Sequence, residues 1–351
     1  YIKDESDPSK RPVLFIFNGG PGSASVWLHM GVFGPKVVQV DSDAKQDDGA
    51  APFAVKNNEL CLLEIADLVF VDPIGTGYSR VIGKGKEEDF WGLTEDARSI
   101  AQFMRTWISQ NQRWQSPKYI IGESFGTTRA AAVTAALEGG GQAMAVNGLV
   151  LISQALDYQG STSVHDNIAS YFTYLPTMAA TAWYHERAGQ GKSLAAFVEE
   201  ARQFAYNEYL PALYKGNQLP QTEKEKIAER LAYFLGLEKS YILLSDNRIL
   251  TGRFKKELLR AEGKTIGTLD GRYLGTEGDQ TADRPTLGDP SNYGIDAAYT
   301  AALNDYLSRE LKIKSDRPYL TSNGKIGGKW NWRPVPQGAY WEPSYVNVAR
   351  S

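Results

Sequence analysis

The segment 122–126, Gly-Glu-Ser-Phe-Gly, constrains this chain more than any other part of its sequence. An apolar run at 119–121 precedes it, and helix-forming residues at 127–137 follow it. Between a strand and a helix, G-x-S-x-G makes a sharp turn that lifts the serine hydroxyl clear of the backbone, and the N-terminus of the helix offers free N–H groups where an oxyanion would form. The pattern predicts that Ser124 is a catalytic nucleophile. The alternative is a tight turn that carries a serine by chance.

The N-terminal part of the chain, roughly its first 155 residues, alternates apolar runs with helical patterns, which predicts a parallel α/β sheet. Continuous apolar runs are typical of strands that are buried on both faces. Such runs lie at 13–17, 66–71, 119–121 and 149–152. Apolar residues at spacings of three and four between Leu93 and Ile108 predict a helix, with Thr94 as its N-cap and Glu95 and Asp96 in its first turn.

Beyond the fourth apolar run the pattern changes to helical stretches and turns with little strand alternation. Helices are predicted over 171–187, 193–206, 221–235, 253–260 and 295–311, and an extended surface connection over 263–293. The predicted domains are an α/β core at 1–156, a helical insertion at 157–342, and the start of a return to the core at 343–351.

Composition argues against several classes of function. The formal net charge is -3 and basic residues form no stripe, which gives no indication of a nucleic-acid partner. No stretch approaches the about 18 consecutive apolar residues of a membrane span. The sequence contains no metal-ligand cluster and no phosphate-binding or nicotinamide fingerprint, so we expect neither a metal nor a cofactor.

A second glycine-rich segment, Asn-Gly-Gly-Pro-Gly-Ser at 18–23, follows the first predicted strand. In enzymes with a central parallel sheet and a nucleophilic serine at a strand-to-helix turn, the loop after an earlier strand supplies one oxyanion-hole N–H. The residue after the nucleophile supplies the other. We therefore expect the N–H groups of Gly20 and Phe125 to be the two donors. The alternative is a glycine-rich turn without function.

Three segments, in this order and spacing, resemble the serine carboxypeptidases, peptidase family S10, which have the α/β-hydrolase fold. They are Asn-Gly-Gly-Pro-Gly at 18–22, Val-Asp-Pro-Ile-Gly-Thr-Gly-Tyr-Ser at 71–79 and Gly-Glu-Ser-Phe-Gly at 122–126. The segments 252–259 and 269–272 look like the bacterial branch of that family. The resemblance implies a mostly parallel sheet with a large, mainly helical cap, which the insertion would form.

The resemblance also implies an activity and the residues that carry it. Ser124 would become acylated while the enzyme removes C-terminal residues from peptides. Asn18, the N–H of Gly19 and Glu123 would bind the C-terminal carboxylate of the substrate. Two carboxylates are tolerated side by side only if one of them carries a proton, so we expect substrate binding to be favoured at acidic pH.

One departure from the family affects that expectation. Val32 occupies the position, fourteen residues after Asn18, at which the better-known members carry a second glutamate. The acid preference is therefore left open. His29 could act as a local partner of Glu123, but a structural histidine is the favoured interpretation.

A second departure concerns the catalytic triad, in which an Asp and then a His follow the serine. The histidines after Ser124 are His165 and His185, both in the helical insertion. Asp157 and His165 are in the right order, but no later strand would present them, so this pair is disfavoured. The sequence therefore predicts a piece of a carboxypeptidase without its last strands, and the 351-residue stretch alone is expected to be inactive.

Two other functions stay open at this point. One is another α/β-hydrolase peptidase, such as a proline iminopeptidase, whose similar loop follows a histidine where this chain has Asn18. The other is a non-catalytic module that binds carboxylates. The favoured reading implies a peptide substrate with a free C-terminal carboxylate and a secreted or periplasmic location, and leaves side-chain preference and oligomeric state open.

Overall fold

The computed structural model describes residues 1–4, 7–40, 44, 50–139, 142–156, 158 and 162–332. These residues form two compact units. The first, which we call the sheet unit, contains the described residues of Tyr1–Val40, Ala50–Tyr158 and Ala297–Ser351. The second, the helical unit, contains those of Asp41–Gly49 and Gln159–Asp296.

The sheet unit alternates strands and helices along the chain. Up to residue 152 its elements are β1 (Val13–Phe17), α1 (Val26–Leu28), β2 (Lys36–Val38), β3 (Val55–Asn57), β4 (Asp67–Phe70), α2 (Leu93–Gln110), β5 (Lys118–Glu123), α3 (Phe125–Gly139) and β6 (Gly148–Ile152). Four strands pair in parallel in the order β4-β1-β5-β6, while β2 and β3 form an antiparallel ribbon. The four apolar runs thus form one parallel sheet, as predicted.

Strand β1 is buried on both faces because it has a strand on each side and a separate core on each face. Val13, Phe15 and Phe17 pack with residues of α2 and α3. Leu14 and Ile16 point the other way and pack with residues of α1 and β4. Full burial of each large apolar side chain contributes about 1.5–3 kcal/mol, so this strand anchors the unit and fixes where its carboxyl end lies.

Helix α2 begins earlier than its sequence suggests. Its N-cap is Gly92 in extended backbone, so the prediction of Thr94 as the cap was wrong. The N–H of Leu93 donates to the carbonyl of Asn331 at 3.2 Å, which satisfies the helix start from a distant part of the chain. The sequence around Leu93 could not predict this contact, because Asn331 is far away along the chain.

The helical unit has its own apolar core, made mostly of buried residues from its helices. Its elements, with the two helices that follow, are α4 (Ile168–Tyr184), α5 (Leu194–Phe204), α6 (Leu210–Lys215), α7 (Gln221–Leu235), α8 (Lys239–Leu244), α9 (Thr251–Glu257), β7 (Lys264–Ile266), β8 (Leu274–Thr276), α10 (Tyr293–Asp305) and α11 (Gly324–Lys329). All five predicted helices have a counterpart. The antiparallel hairpin β7–β8 lies within the predicted surface connection, and its three-residue strands are too short to show alternation.

The end of the helical unit differs from the predicted boundary at 342. The unit ends at Asp296, and described residues after it group with the sheet unit. Apolar residues of α10, among them Ala298 and Leu303, pack with α1, and Leu320 pairs with Gly77. The sequence could not predict this boundary, because the helical patterns on both sides of it look alike. The predicted return segment 343–351 lies outside the described residues.

Candidate active site

Ser124 lies at the junction of β5 and α3. Its φ is +55°, in the left-handed region that a non-glycine residue rarely adopts. Gly122 and Gly126 permit this turn, since a Cβ on Gly122 would overlap the carbonyl oxygen of Gly126. The N–H of Ser124 donates to the carbonyl of Ile152 at 3.0 Å, and its carbonyl accepts from Thr127 Oγ1 at 2.8 Å. These contacts fix the strained turn and leave the serine partly exposed.

The glycine-rich loop at 18–23 leaves the carboxyl end of β1 and contacts the serine turn at the end of β5, the neighbouring strand. A Cβ on Gly19 would lie 2.5 Å from the backbone nitrogen of Phe125. Gly20 has a φ of +103°, which a glycine adopts without strain. Within the described part of the chain, no group accepts a hydrogen bond from the N–H of Gly19, Gly20 or Phe125. Free backbone donors therefore lie beside the serine turn.

Asn18 and Glu123, the two side chains that the resemblance assigns to carboxylate binding, are in contact. The side-chain amide of Asn18, only 2% exposed, donates to Glu123 Oε2 at 3.0 Å. Its carbonyl oxygen Oδ1 accepts from the N–H of Leu28 at 3.1 Å, which fixes the direction in which the amide points. Val32, at the position of the expected second glutamate, is 47% exposed. The described residues supply no second carboxylate to Glu123.

The remaining segment of the resemblance, 71–79, connects loops that come from distant parts of the chain. The carboxylate of Asp72 accepts from both the N–H and the hydroxyl of Ser25 at 2.8 Å, and from the hydroxyl of Tyr319 at 3.0 Å. Burial raises the pKa of Asp72 above its ordinary value. A Cβ on Gly77, whose φ is +49°, would overlap this carboxylate. The motif therefore joins the loop after β4 to the start of α1 and to the segment that carries Tyr319.

Arg129, which sequence reasoning overlooked, lies on α3 just beyond Ser124. It is completely buried, and its Nε donates to Asp96 Oδ2 at 2.6 Å. Its two terminal nitrogens donate to the carbonyls of Asn18 at 2.6 Å and Pro21 at 3.0 Å. Burial raises the pKa of Asp96, and the guanidinium opposes that rise. A sequence signal for this role was present. Arg129 is a charged residue in an alanine-rich helix that is expected to pack on the sheet, and a charged residue is rarely fully buried unless it is paired.

Comparison with known proteins decides the family. A family model described as serine carboxypeptidase matches residues 1–245, well over half of the 351 residues. The chain belongs to the serine carboxypeptidase family. The resemblance inferred from the three segments is thereby confirmed, whereas placement in the bacterial branch stays a prediction.

Two similar proteins are serine carboxypeptidase-like proteins of a plant. Serine carboxypeptidase-like 13 of Arabidopsis thaliana is 30% identical over 129 residues, which are 36% of this chain and 28% of the plant protein. Serine carboxypeptidase-like 51 of the same plant is 32% identical over 123 residues, 34% of this chain and 24% of that protein. The matched segment therefore spans less than a third of either relative.

A solved carboxypeptidase shares the fold of this family member. The crystal structure of Kex1Δp, a prohormone-processing carboxypeptidase from Saccharomyces cerevisiae, matches with a TM-score of 0.54 and 15% sequence identity. The match covers 99% of this chain and 64% of the yeast chain. The α/β-hydrolase fold with a parallel sheet and many helices, which the resemblance implied, is thus confirmed.

Aromatic side chains surround the residue after the serine in this carboxypeptidase-family protein. The ring of Phe125 makes edge contacts with Trp330 and Trp332, with centroids 5.3 Å and 5.6 Å apart. Tyr158 contacts Trp332 in the same way at 5.6 Å. The sequence prediction had assigned Trp330 and Trp332 to the helical insertion, yet both lie in the sheet unit.

None of the described histidines is placed to act as the base for Ser124. Asp157, one half of the disfavoured pair, lies outside the described residues. His165 is exposed, and His185 is bonded through Nε2 to the carbonyl of Gly271 at 2.7 Å; both lie in the helical unit. No described residue makes a hydrogen bond with Oγ of Ser124.

His29 is a packed histidine of the sheet unit. Its Nε2 lies 2.7 Å from the hydroxyl of Tyr1, and its ring stacks on Phe70 with centroids 4.2 Å apart. Burial lowers the pKa of His29 from 6.5 to about 4. The favoured structural role fits these contacts, and Glu123 is not its partner.

The depressed pKa makes stability depend on pH. His29 stays neutral in the folded protein down to about pH 4 but binds a proton near pH 6.5 when unfolded. The contribution of neutral His29 to the free energy of unfolding is therefore fully present above pH 6.5 and is lost as the pH falls towards 4. The shift in pKa between the folded and unfolded states corresponds to about 3 kcal/mol. We expect His29→Gln to flatten the fall in unfolding free energy over this range, measured by urea denaturation. His165→Gln, at an exposed position, is the control, and equal pH slopes for both variants would rule out this role for His29.

No site for a metal ion was found within the described ranges, where no group of three or more His, Cys, Asp or Glu side chains converges. Among the described helices of this family member, none has both the length and the apolar character needed to cross a bilayer.

Proposed function

We propose that the protein is a serine carboxypeptidase that removes C-terminal residues from peptides through an acyl-enzyme on Ser124. The observation that carries the proposal is the serine held at φ +55° at a turn that the glycine-rich loop contacts through Gly19. The described residues provide no acceptor for the N–H groups of Gly20 and Phe125. Membership of the family supports it further. The chain spans only part of its relatives, so activity and substrate remain proposals.

The proposed reaction has two steps at the same serine. Oγ of Ser124 attacks the carbonyl carbon of the last peptide bond and loses its proton to a base; the N–H groups of Gly20 and Phe125 stabilise the oxyanion. The C–N bond then breaks, the released amino acid takes up the proton, and the peptide remains as an ester. Water hydrolyses the ester and restores the hydroxyl. We assign no described residue as the base.

Recognition of the terminal carboxylate would make the enzyme an exopeptidase. Asn18, the N–H of Gly19 and Glu123 are the groups proposed to bind it. The contact between Asn18 and Glu123 supports this, because it gathers an amide and a carboxyl group next to a free backbone donor. A protonated Glu123 could donate to the substrate carboxylate, whereas an ionised Glu123 would repel it.

This arrangement predicts a pH-dependent KM. For a blocked dipeptide with a free carboxylate, we expect KM to rise between about pH 4 and about pH 8, because the proton shared by the two carboxyl groups is lost. Glu123→Gln supplies an uncharged amide donor and should remove most of that dependence. The measurement is steady-state kinetics of the full-length protein over this range.

A matched control separates this effect from general charge. Glu59 is an exposed glutamate of the same unit, so Glu59→Gln should leave the pH profile unchanged. A KM that falls with rising pH in the wild type, or an identical profile for Glu123→Gln, would show that Glu123 does not take part in carboxylate binding.

Assays with different substrates distinguish the proposed function from the two alternatives. A serine carboxypeptidase should release the last amino acid from an N-blocked dipeptide and fail on the C-terminal amide of the same peptide. Release of N-terminal proline from an unblocked peptide would indicate an iminopeptidase instead. Binding of the free acid without turnover by the full-length protein would indicate a carboxylate-binding module.

We also propose that the protein works outside the cytoplasm. Fractionation of the native host would test this location.

A further inference from the structure

The guanidinium of Arg129 joins parts of the active site that come from distant positions in the chain. Its two terminal nitrogens hold the carbonyls of Asn18 and Pro21, the two ends of the segment that contains Gly19 and Gly20. The third nitrogen is bound by Asp96 on α2. Arg129 itself lies on α3, the helix that starts immediately after Ser124. One planar group thus connects the glycine-rich loop to the helix of the nucleophile.

The surroundings leave this cation no freedom to move. Arg129 is 0% exposed and Asp96 is 3% exposed. The guanidinium carbon lies 5.5 Å from the ring centre of Phe17 and 5.2 Å from that of Phe125. The fork of an arginine is rigid, so fixing it by a carboxylate and two rings also fixes the two carbonyls that it binds.

We infer that Arg129 is a positioning residue for catalysis, which sets the loop that carries the Gly20 N–H against the Phe125 N–H. The inference rests on the proposed function, since it concerns the oxyanion donors of that reaction. A shift of about 1 Å in a catalytic group can cost on the order of 100-fold in rate. Gly19 and Gly20 have no side chains that could hold the loop in place, so its position depends on contacts to its backbone.

The bond to Asn18 has a second consequence. The carbonyl of Asn18 and the N–H of Gly19 belong to the same peptide group. Donation by Arg129 to that carbonyl polarises the group and strengthens Gly19 as a donor towards the substrate carboxylate. Loss of the fork should therefore raise KM as well as lower kcat.

The chain offers a matched control for burial alone. Arg113 is 2% exposed, pairs with Asp67, and donates to the carbonyl of Arg11 at 2.8 Å. Asp67 begins β4 and Arg113 precedes β5, so this pair lies at the amino ends of the strands, at the opposite end of the sheet from Ser124. Replacing either arginine by lysine removes a rigid fork from a buried carboxylate.

The test compares Arg129→Lys with Arg113→Lys in the full-length protein. We expect Arg129→Lys to lower kcat by about 10- to 100-fold, whereas Arg113→Lys should change it by less than about threefold. Hydrogen exchange, followed by mass spectrometry on the peptide that contains Ser23, should become faster only in Arg129→Lys. The N–H of Ser23 donates to the carbonyl of Gly19 at 3.1 Å and so reports on the loop.

A second variant guards against simple unfolding. Asp96→Leu combined with Arg129→Met replaces the buried pair by apolar side chains, a change that is often neutral for stability. It should keep the thermal midpoint near the wild-type value while still lowering kcat and loosening the loop.

The outcomes separate the two proposals. If the wild type cleaves peptides but Arg129→Lys matches Arg113→Lys in kcat and in exchange, or the folded double variant keeps wild-type kcat, the role of Arg129 is overturned while the function stands. If the wild type cleaves nothing, the proposed function fails, and the exchange of Ser23 still decides whether Arg129 holds the loop.

Discussion

Replacement of Ser124 by alanine in the full-length protein is expected to abolish peptide cleavage, with a fall in kcat of about 10⁶-fold, because no other group can form the acyl-enzyme. The fold should be kept. The turn at Ser124 is held by backbone contacts to Ile152 and Thr127, which alanine also makes, and by the two flanking glycines. The measurement is kcat on an N-blocked dipeptide, together with the thermal midpoint.

The control for this change is Ser109→Ala, at an exposed serine on α2. It should leave kcat unchanged. Retention of more than about 1% of the wild-type kcat by Ser124→Ala, with the substitution verified by mass, would be incompatible with a serine nucleophile at this position.

Replacement of Gly19 by alanine should have the next largest effect. The added Cβ would lie 2.5 Å from the nitrogen of Phe125, 2.7 Å from the carbonyl oxygen of Glu123 and 2.9 Å from the nitrogen of Gly126. All three atoms are backbone, so the loop must move away from the serine turn. We expect kcat to fall by about 10²- to 10³-fold, the effect of losing one oxyanion donor, measured with the same dipeptide.

Gly139→Ala is the matched control for that variant. Gly139 ends α3, and a Cβ there would meet no atom within 4 Å, so neither activity nor stability should fall. If Gly19→Ala kept wild-type kcat, the close approach of the loop to Phe125 would not matter for catalysis, and the proposed oxyanion hole would be wrong.

The framework of the site could be predicted because its signals are local. The strand 13–17 was predicted with its observed bounds, since a continuous apolar run needs no knowledge of its neighbours. The serine turn was predicted for the same reason: its two glycines and the flanking patterns are contiguous in sequence. The resemblance assigned Asn18 and Glu123 to one site, and the structure shows the two side chains in contact because β1 and β5 are neighbouring parallel strands.

The parts that could not be predicted depend on contacts between distant positions. Asp96 reads as a favourable charge in the first turn of a helix, and only the fold reveals that it is the buried partner of Arg129. Arg129 likewise reads as one polar residue of an alanine-rich helix. The end of the helical unit at Asp296 was missed because helices that pack on the sheet unit and helices that pack together have the same periodicity.

The central claim is that Ser124 is an activated nucleophile, and labelling of the full-length protein with a fluorophosphonate tests it most directly. Intact mass before and after treatment gives the number of adducts, and peptide mapping gives their position. We predict a single adduct on the peptide that contains Ser124, and none in Ser124→Ala. A folded wild-type protein that takes up no probe, or takes it up at another residue, would contradict the account.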